Sequence, residues 1–281
     1  MIFPSENSEK AISQYSEKLT QNIRKLNLPI ADENYTAGSP PSLFKKLKKI
    51  KDYDLIHIQH EYNLLGYFGL PFFYVYFYLW MFKKKKLVTT MHTIPSKLSQ
   101  FKSGIIKTFL RKYILYPLQN WLINKASDKI IVHAQFFKDI LVNEYHVPAN
   151  KIQIFPQGII ENPPIISKEQ AKKQLKLKGN VYLIIGSFIP DHGSDIIVKQ
   201  ANKIGKTILV VVNPNAPNDR NKKRIRDWLD YNHEIVKKNH SESFVRFDVQ
   251  PVPNSLWWKY ISASDLILLP YKGGIGSGII T

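Results

Sequence analysis

Along this chain, short runs of β-branched and other apolar residues recur with helix-length stretches between them: 55–59, 87–91, 129–134, 152–156, 181–186, 207–212, 244–249 and 266–271. Strands of about five residues alternating with helices predict βαβ units and parallel sheets, so the class is α/β. Between strands, Phe101, Ile105, Ile106, Phe109, Leu110, Tyr113 and Ile114 recur at helical spacing, with Lys102, Lys107, Arg111 and Lys112 among them. The spacing predicts a basic amphipathic helix over 101–116, which either packs on the sheet or meets anionic lipid.

One segment breaks the rhythm. Residues 63–82 carry no charge, are rich in Phe, Tyr, Leu and Trp, and are followed by Lys83, Lys84, Lys85 and Lys86. The length reaches the minimum for a membrane span. Gly66, Gly69 and Pro71 interrupt its start, however, and the aromatics suit an interface better than a hydrocarbon core. Three readings stand open: a helix buried against the first sheet, an in-plane helix on a membrane, and a span.

The turn-rich stretch Phe155-Pro156-Gln157-Gly158-Ile159-Ile160-Glu161-Asn162-Pro163-Pro164 separates two halves, and 167–177 reads as a short helix before the next strand. The expected boundary lies near Lys178, giving domains 1–178 and 179–281. With 281 residues, 44% hydrophobic and 22% charged, the chain can bury a core in each. It has no cysteine, which excludes disulfides, thiolate metal sites and cysteine nucleophiles. Met1-Ile2-Phe3-Pro4 runs at once into polar residues, unlike a signal peptide, so a cytoplasmic location is expected. The net charge of +18 implies an anionic partner: nucleic acid, acidic lipid or a phosphorylated substrate. Nucleic acid is disfavoured, because no helix-turn-helix, RNA-recognition or zinc-finger signature accompanies the charge.

Candidate chemistry gathers at strand ends. His60 closes the run Asp54-Leu55-Ile56-His57-Ile58-Gln59, and His92 closes Leu87-Val88-Thr89-Thr90-Met91. Both are expected at the carboxyl edge of a parallel sheet, where open α/β folds hold their ligands. A histidine there can equally be structural. His57 alternates with Ile56 and Ile58 and reads as a core or opposite-face residue. In the second half, Gly186-Ser187-Phe188-Ile189-Pro190-Asp191-His192-Gly193-Ser194-Asp195 leads from a strand into a helix, with Ser194 the expected N-cap. Lys272-Gly273-Gly274-Ile275-Gly276-Ser277-Gly278 is a glycine-rich turn after a strand. Either turn can bring backbone N–H groups to a phosphate. No carboxylate pair stands at ligand spacing, so no metal is expected.

These motifs, in order, resemble the GT-B glycosyltransferases of the group 1, family 4 type. Tyr53-Asp54-Leu55-Ile56-His57-Ile58-Gln59-His60-Glu61-Tyr62 looks like the family's D-hydrophobic-HxQHEY strand, and Leu87-Val88-Thr89-Thr90-Met91-His92-Thr93 like its vvtTxHT strand. Ser127-Asp128-Lys129-Ile130-Ile131-Val132, Ile154-Phe155-Pro156-Gln157-Gly158-Ile159 and Ser262-Ala263-Ser264-Asp265 through Pro270-Tyr271 match further family stretches. The resemblance implies two Rossmann-like domains with parallel sheets facing a cleft, the first holding the acceptor and the second a nucleotide diphosphate sugar, with no cofactor beyond that donor. It implies retaining transfer of a hexose to a lipid-linked or polysaccharide acceptor; the aromatic stretch, the lysine run after it and the basic helix add the expectation of peripheral contact with the inner face of a membrane. His92 is then expected at the reacting centre, and His60 and Glu61 on the acceptor side. Gly186, Ser187, His192, Gly193, Ser194, Lys272, Gly274, Ser277 and Gly278 are expected around the donor diphosphate. The chain also departs from the pattern. Ile189 and His192 stand where the family has an arginine and a lysine, and the paired-glutamate element due from Gly274 onward is not reached before Thr281. A shortened second domain is therefore expected, and a non-catalytic GT-B-like subunit is the alternative.

Overall fold

A computed structural model describes residues 1–5, 10–37, 39–47, 49, 53–62, 66–67, 70–82, 85–98, 104–158, 164–216 and 219–272. They form two compact units, 1–157 and 158–281. In the first unit the strands are β1 (Ile2–Pro4), β2 (Glu33–Tyr35), β3 (Leu55–His60), the small antiparallel pair β4 (Gly66–Tyr67) and β5 (Leu70–Pro71), β6 (Lys86–Met91), β7 (Lys129–Val132) and β8 (Ile152–Ile154). Its helices are α1 (Lys10–Lys25), α2 (Pro40–Leu47), α3 (Phe72–Phe82), α4 (Ile105–Leu110), which runs through a π turn at Arg111–Leu115 into α5 (Tyr116–Ala126), and α6 (Gln135–Asn143).

Six strands make one parallel sheet in the order β2-β1-β3-β6-β7-β8. The order reverses between β1 and β3, so the crevice that such sheets offer to ligands opens beyond the carboxyl ends of those strands. Alternation sorts the side chains. Ile56, Ile58 and His60 share one face of β3 and are buried with Tyr76 and Leu79 of α3, while His57 and Gln59 take the other face. Register is held at the strand starts: Asp128 accepts the Leu87 N–H at 2.7 Å and returns its own N–H to the Leu87 carbonyl at 2.8 Å.

The second unit contains α7 (Lys168–Gln174), β9 (Val181–Ile184), a 3-10 turn at Pro190–His192, α8 (Ser194–Val198), α9 (Ala201–Ile204), β10 (Thr207–Val212), α10 (Asp219–Lys238), β11 (Val245–Val249), α11 (Asn254–Ala263) and β12 (Leu266–Ile267). Its parallel sheet runs β11-β10-β9-β12. Central β10, Thr-Ile-Leu-Val-Val-Val, is apolar on both faces because helices cover both. Leu209 and Val211 meet Tyr260 and Ala263 of α11, whereas Ile208, Val210 and Val212 meet Val198, Ile235 and Val236.

Two expectations shift. The units divide at Gln157/Gly158 and not near Lys178, because α7 lays Ala171 and Leu175 into the core of the second sheet. In the aromatic segment, α3 spans only 11 residues, and among the described residues no helix is long and apolar enough to cross a membrane. Val75, Tyr76 and Leu79 of α3 are buried, while Phe77, Trp80, Met81 and Phe82 are exposed. Of the lysines that follow, Lys83 and Lys84 lie outside the described residues.

The joint that starts β12 repeats the one at β7. Asp265 accepts the Val181 N–H at 2.9 Å, donates its own N–H to the Val181 carbonyl at 2.8 Å, and ion-pairs with Lys168 at 3.0 Å and Lys172 at 2.7 Å. These donors hold its carboxyl well below the usual aspartate range, the Lys172 ammonium contributing most. Asp265→Ala leaves the Val181 N–H and two ammoniums without their acceptor, so a loss of about 1–3 kcal/mol in unfolding free energy is expected, measured by urea titration. A change within error would show that the joint contributes nothing.

Candidate functional site

The carboxyl edge of the first sheet is built by register. Gln59 pairs with Thr90 and His60 with Met91, so the next residues, Glu61 and His92, come side by side as the strands end. The His92 N–H extends the ladder by one bond to the His60 carbonyl, 3.2 Å. Glu61 and the loop after His92 are then tied together: the Thr93 hydroxyl lies 2.7 and 2.6 Å from the two Glu61 carboxylate oxygens, and Glu61 Oε1 also accepts the Tyr62 N–H at 3.0 Å. Further along, Glu144 accepts from the Ser96 hydroxyl at 2.7 Å and from the Lys97 N–H at 2.6 Å, while the Tyr145 hydroxyl donates to the Pro95 carbonyl. The loop is thereby fastened at both ends.

His92 itself is partly buried. Its Nε2 is 2.8 Å from the Gln59 side-chain oxygen, and its ring packs edge-on against Tyr15 of α1 at 5.1 Å and beside His133 at 5.1 Å. Burial, then the neighbouring His133 and His57, push its pKa down to about 3. The imidazole is therefore neutral throughout the physiological range, an acceptor or donor but not a cation.

His60 corrects an expectation. It faces the opposite side of the sheet, fully buried, its ring edge-on to Tyr62 at 4.7 Å and to Tyr76 at 5.8 Å. Burial, helped by His92, lowers its pKa to about 3. A side chain with no accessible surface does not line an acceptor site; the alternation of the strand puts His60 on the aromatic face and Gln59, also buried, on the face that meets His92. His57 lies with Gln59, its Nε2 2.7 Å from the Thr90 hydroxyl, and burial lowers its pKa to about 4. The residues that join His92 and went unread in the sequence are Gln59, Tyr15 and His133. For His133 a signal existed, since it follows β7 as His92 follows β6; Tyr15, on a helix far away in sequence, offered none.

In the second unit, the turn after β9 lines a pocket together with the end of β12: Gly186, Ser187, Phe188, Ile189, His192 and Ser194 from one side, Leu268, Pro270 and Tyr271 from the other. Gly193 sits at φ +70°, and a β-carbon there would fall 2.0 Å from the Pro270 carbonyl oxygen, so only glycine lets these two segments approach. The His192 ring lies 4.4 Å from Tyr271. Burial lowers its pKa against the opposing pull of Asp191 and the Ser187 carbonyl, so it too is neutral at pH 7.

Two donor-side expectations change. Ser194 does not cap α8; Gly193 takes that position, and the buried Ser194 hydroxyl instead accepts from Trp228 Nε1 at 3.0 Å and meets Asn232 Oδ1 at 3.2 Å, fastening α8 to α10. Lys272 directs its ammonium to Asp195 at 2.7 Å, over the Trp228 ring, where the charge is compensated. Among the described residues lining the pocket there is no lysine or arginine. Gly274, Ser277 and Gly278 lie outside the described residues. Nor is any group of three or more His, Cys, Asp or Glu side chains, among those described, arranged to hold a metal ion.

Comparison with known proteins decides the family. The profile of Glycosyltransferase Family 4 matches residues 3–162, more than half of the chain. The chain belongs to this family. Among solved structures, HepE from Anabaena in complex with UDP superposes with a TM-score of 0.67 at 16% identity, over 99% of this chain and 75% of that one. The same protein in complex with UDP and glucose gives 0.63 at 16% identity, over 94% and 66%. A glycosyltransferase from Rickettsia africae ESF-5 gives 0.54 at 14% identity, over 90% and 62%. At these identities the likeness is one of fold, the GT-B arrangement of two parallel-sheet units, of which the second is the smaller here. This family 4 chain spans roughly two thirds of the length of those neighbours. The comparison with curated proteins returned no match.

Three histidines, His60 fully buried and His57 and His92 partly so, make the first unit acid-sensitive. Each has a folded-state pKa below its unfolded value of about 6.5, so the unfolded chain binds the extra protons and stability is lost as pH falls from about 6.5 towards 3. Each contributes up to about 1.4 kcal/mol per pH unit within that window. The expected melting temperature therefore drops steadily below pH 6.5, and His60→Phe, which keeps a ring between Tyr62 and Tyr76, flattens the drop. A profile level from pH 7 to pH 4 would contradict the assignment.

Proposed function

We propose that this family 4 chain transfers a hexose, with retention of anomeric configuration, from a nucleotide diphosphate sugar to a lipid-linked or polysaccharide acceptor. The reading rests first on His92: a neutral imidazole held by Gln59 at the carboxyl edge of the first sheet, next to Glu61, in the part of the chain that the family profile covers. HepE complexes with UDP and with UDP and glucose make a uridine nucleotide the first donor to test. In this reading the donor lies on the second unit, where Gly186, Ser187 and the neutral His192 ring line the pocket that takes the departing diphosphate and Gly193 lets the turn close against Pro270; the His192 and Gly193 N–H groups are already bonded to the Ile189 and Pro190 carbonyls. Glu61 and His92 serve the acceptor and the reacting sugar.

A second reading has its own support. With Lys272 paired to Asp195 and no lysine or arginine among the described pocket residues, the leaving diphosphate gains little compensation, as suits a GT-B-like subunit that binds without catalysing. His92→Ala separates the two. In a transferase, turnover falls roughly a hundredfold or more, about 2.7 kcal/mol in the barrier, with melting temperature and UDP affinity nearly unchanged on the same preparations. Activity that survives, or falls only with unfolding, removes His92 from the chemistry; UDP that fails to raise the melting temperature, together with no turnover, favours the non-catalytic subunit.

The proposal extends to the membrane. Residues 104–115 contain no buried side chain, and Ile105 and Ile106 are 89% and 76% exposed. Phe109, Tyr113, Ile114 and Trp121 continue the apolar surface, and Trp121 packs on Trp80 of α3 at 5.3 Å, joining the exposed aromatics of both helices. Lys107, Arg111, Lys112 and Lys125 accompany it, each adding about 1 kcal/mol of attraction to an anionic surface. This is the composition of an in-plane, lipid-contacting face and suits an acceptor carried in a cytoplasmic leaflet. Sedimentation with vesicles is expected to require anionic lipid, to weaken with salt, and to be lost in Ile106→Glu/Phe109→Glu without change in melting temperature. Equal binding to neutral vesicles, or none to anionic ones, overturns this part.

A further inference from the structure

His92 and His133 stand as a pair, their ring centroids 5.1 Å apart, and Tyr15 closes against both at 5.1 and 5.5 Å. Each ring has one nitrogen committed to an acceptor. His133 Nδ1 lies 2.9 Å from the Phe155 carbonyl oxygen, a group that can only accept, so Nδ1 carries the proton. Its Nε2 is buried and has no hydrogen-bond partner among the described residues.

His92 is committed through the other nitrogen, since its Nε2 lies 2.8 Å from Gln59 Oε1. The orientation of the buried Gln59 amide is set at its far end, where Nε2 faces the Met1 sulfur at 3.5 Å and His57 Nε2 at 3.4 Å. Turning the amide over would press its oxygen against the lone pairs of the thioether, whereas the amide N–H can donate to them. The Gln59 oxygen therefore accepts, His92 Nε2 donates, and His92 Nδ1 keeps its lone pair.

We infer that Gln59 and the Phe155 carbonyl lock His92 and His133 in opposite tautomers, so that His92 Nδ1 keeps a lone pair for a hydroxyl group of the bound sugar or acceptor, while the His133 lone pair on Nε2 stays buried. The tautomer lock stands on this geometry alone; the hydroxyl-bearing ligand rests on the transferase reading. Neutral rings suit the task, since burial keeps both from protonating near pH 7. The His92 lone pair also discriminates: hydroxyls, which donate, are taken, while phosphate oxygens, which only accept, meet a lone pair and are refused. Gln59 thus becomes a positioning residue beside His92.

Long-range proton–nitrogen correlation spectra of the 15N-labelled chain read each tautomer directly, assigned with His92→Asn and His133→Asn. The wild type is expected to show His92 protonated at Nε2 and His133 at Nδ1. Gln59→Leu is expected to give His92 mixed tautomers, leave His133 unchanged and raise the sugar KM about tenfold or more, whereas Gln59→Glu, which still accepts from Nε2–H, restores the wild-type tautomer. The same tautomer on both rings of the wild type overturns the proposal whether or not Gln59→Leu folds, and so does a His92 spectrum indifferent to Gln59→Leu. Opposite tautomers in a chain that turns over no nucleotide sugar sustain the lock and sink the transferase reading instead.

Discussion

Everything at the first site depends on the register between β3 and β6. Gln59 opposite Thr90 is the pairing that puts Glu61, His92 and the Gln59 amide at one edge, and a slip of one residue would exchange the faces that Gln59 and His60 occupy. Across the pair, His57 Nε2 meets the Thr90 hydroxyl at 2.7 Å, and β6 is fixed to its other neighbour as well. Asp128 clips the start of β6 to the start of β7 with two hydrogen bonds, and Ser127 adds a third contact to Thr89 at 2.8 Å. Because a parallel ladder has no hairpin to set its register, such side-chain joints and the apolar faces carry that task. The second unit uses the same device, Ala263-Ser264-Asp265 echoing Ala126-Ser127-Asp128, with each alanine fully buried beneath its strand.

The two sites are prepared to different degrees. Around His92 the side chains are mutually bonded: Gln59, Thr90 and His57 behind it, Glu61 and Thr93 beside it, Glu144 and Tyr145 holding the loop beyond. Little reorganisation is needed before a ligand meets a neutral imidazole there. The pocket of the second unit is shaped by Gly193 beneath Pro270 and by the His192–Tyr271 contact, yet its described lining holds no lysine or arginine and Lys272 is spent on Asp195.

The sequence by itself determined the α/β class, the parallel sheets and most strand positions, because apolar runs of strand length between helical stretches have few other solutions. It also carried the family, through motifs at strand ends whose spacing from the strand is local. His92 and Glu61 were legible for that reason, as were Gly186 and Gly193. The boundary at Gln157 was not, since which core receives Ala171 and Leu175 is a matter of packing and not of the turn signals that precede α7.

What only the tertiary structure decided was the side each residue faces and what meets it there. His60 and His92 look equivalent in sequence, but the pleat carries one into an aromatic core and leaves the other at the edge. Lys272 reads as a cation after a glycine-rich strand end until Asp195 is seen to hold it. Tyr15, Gln59 and His133 join His92 from three elements separated by many residues, and no local pattern records such a meeting. Periodicity encodes which face of an element is apolar; the partner across the space is encoded only in how the elements pack.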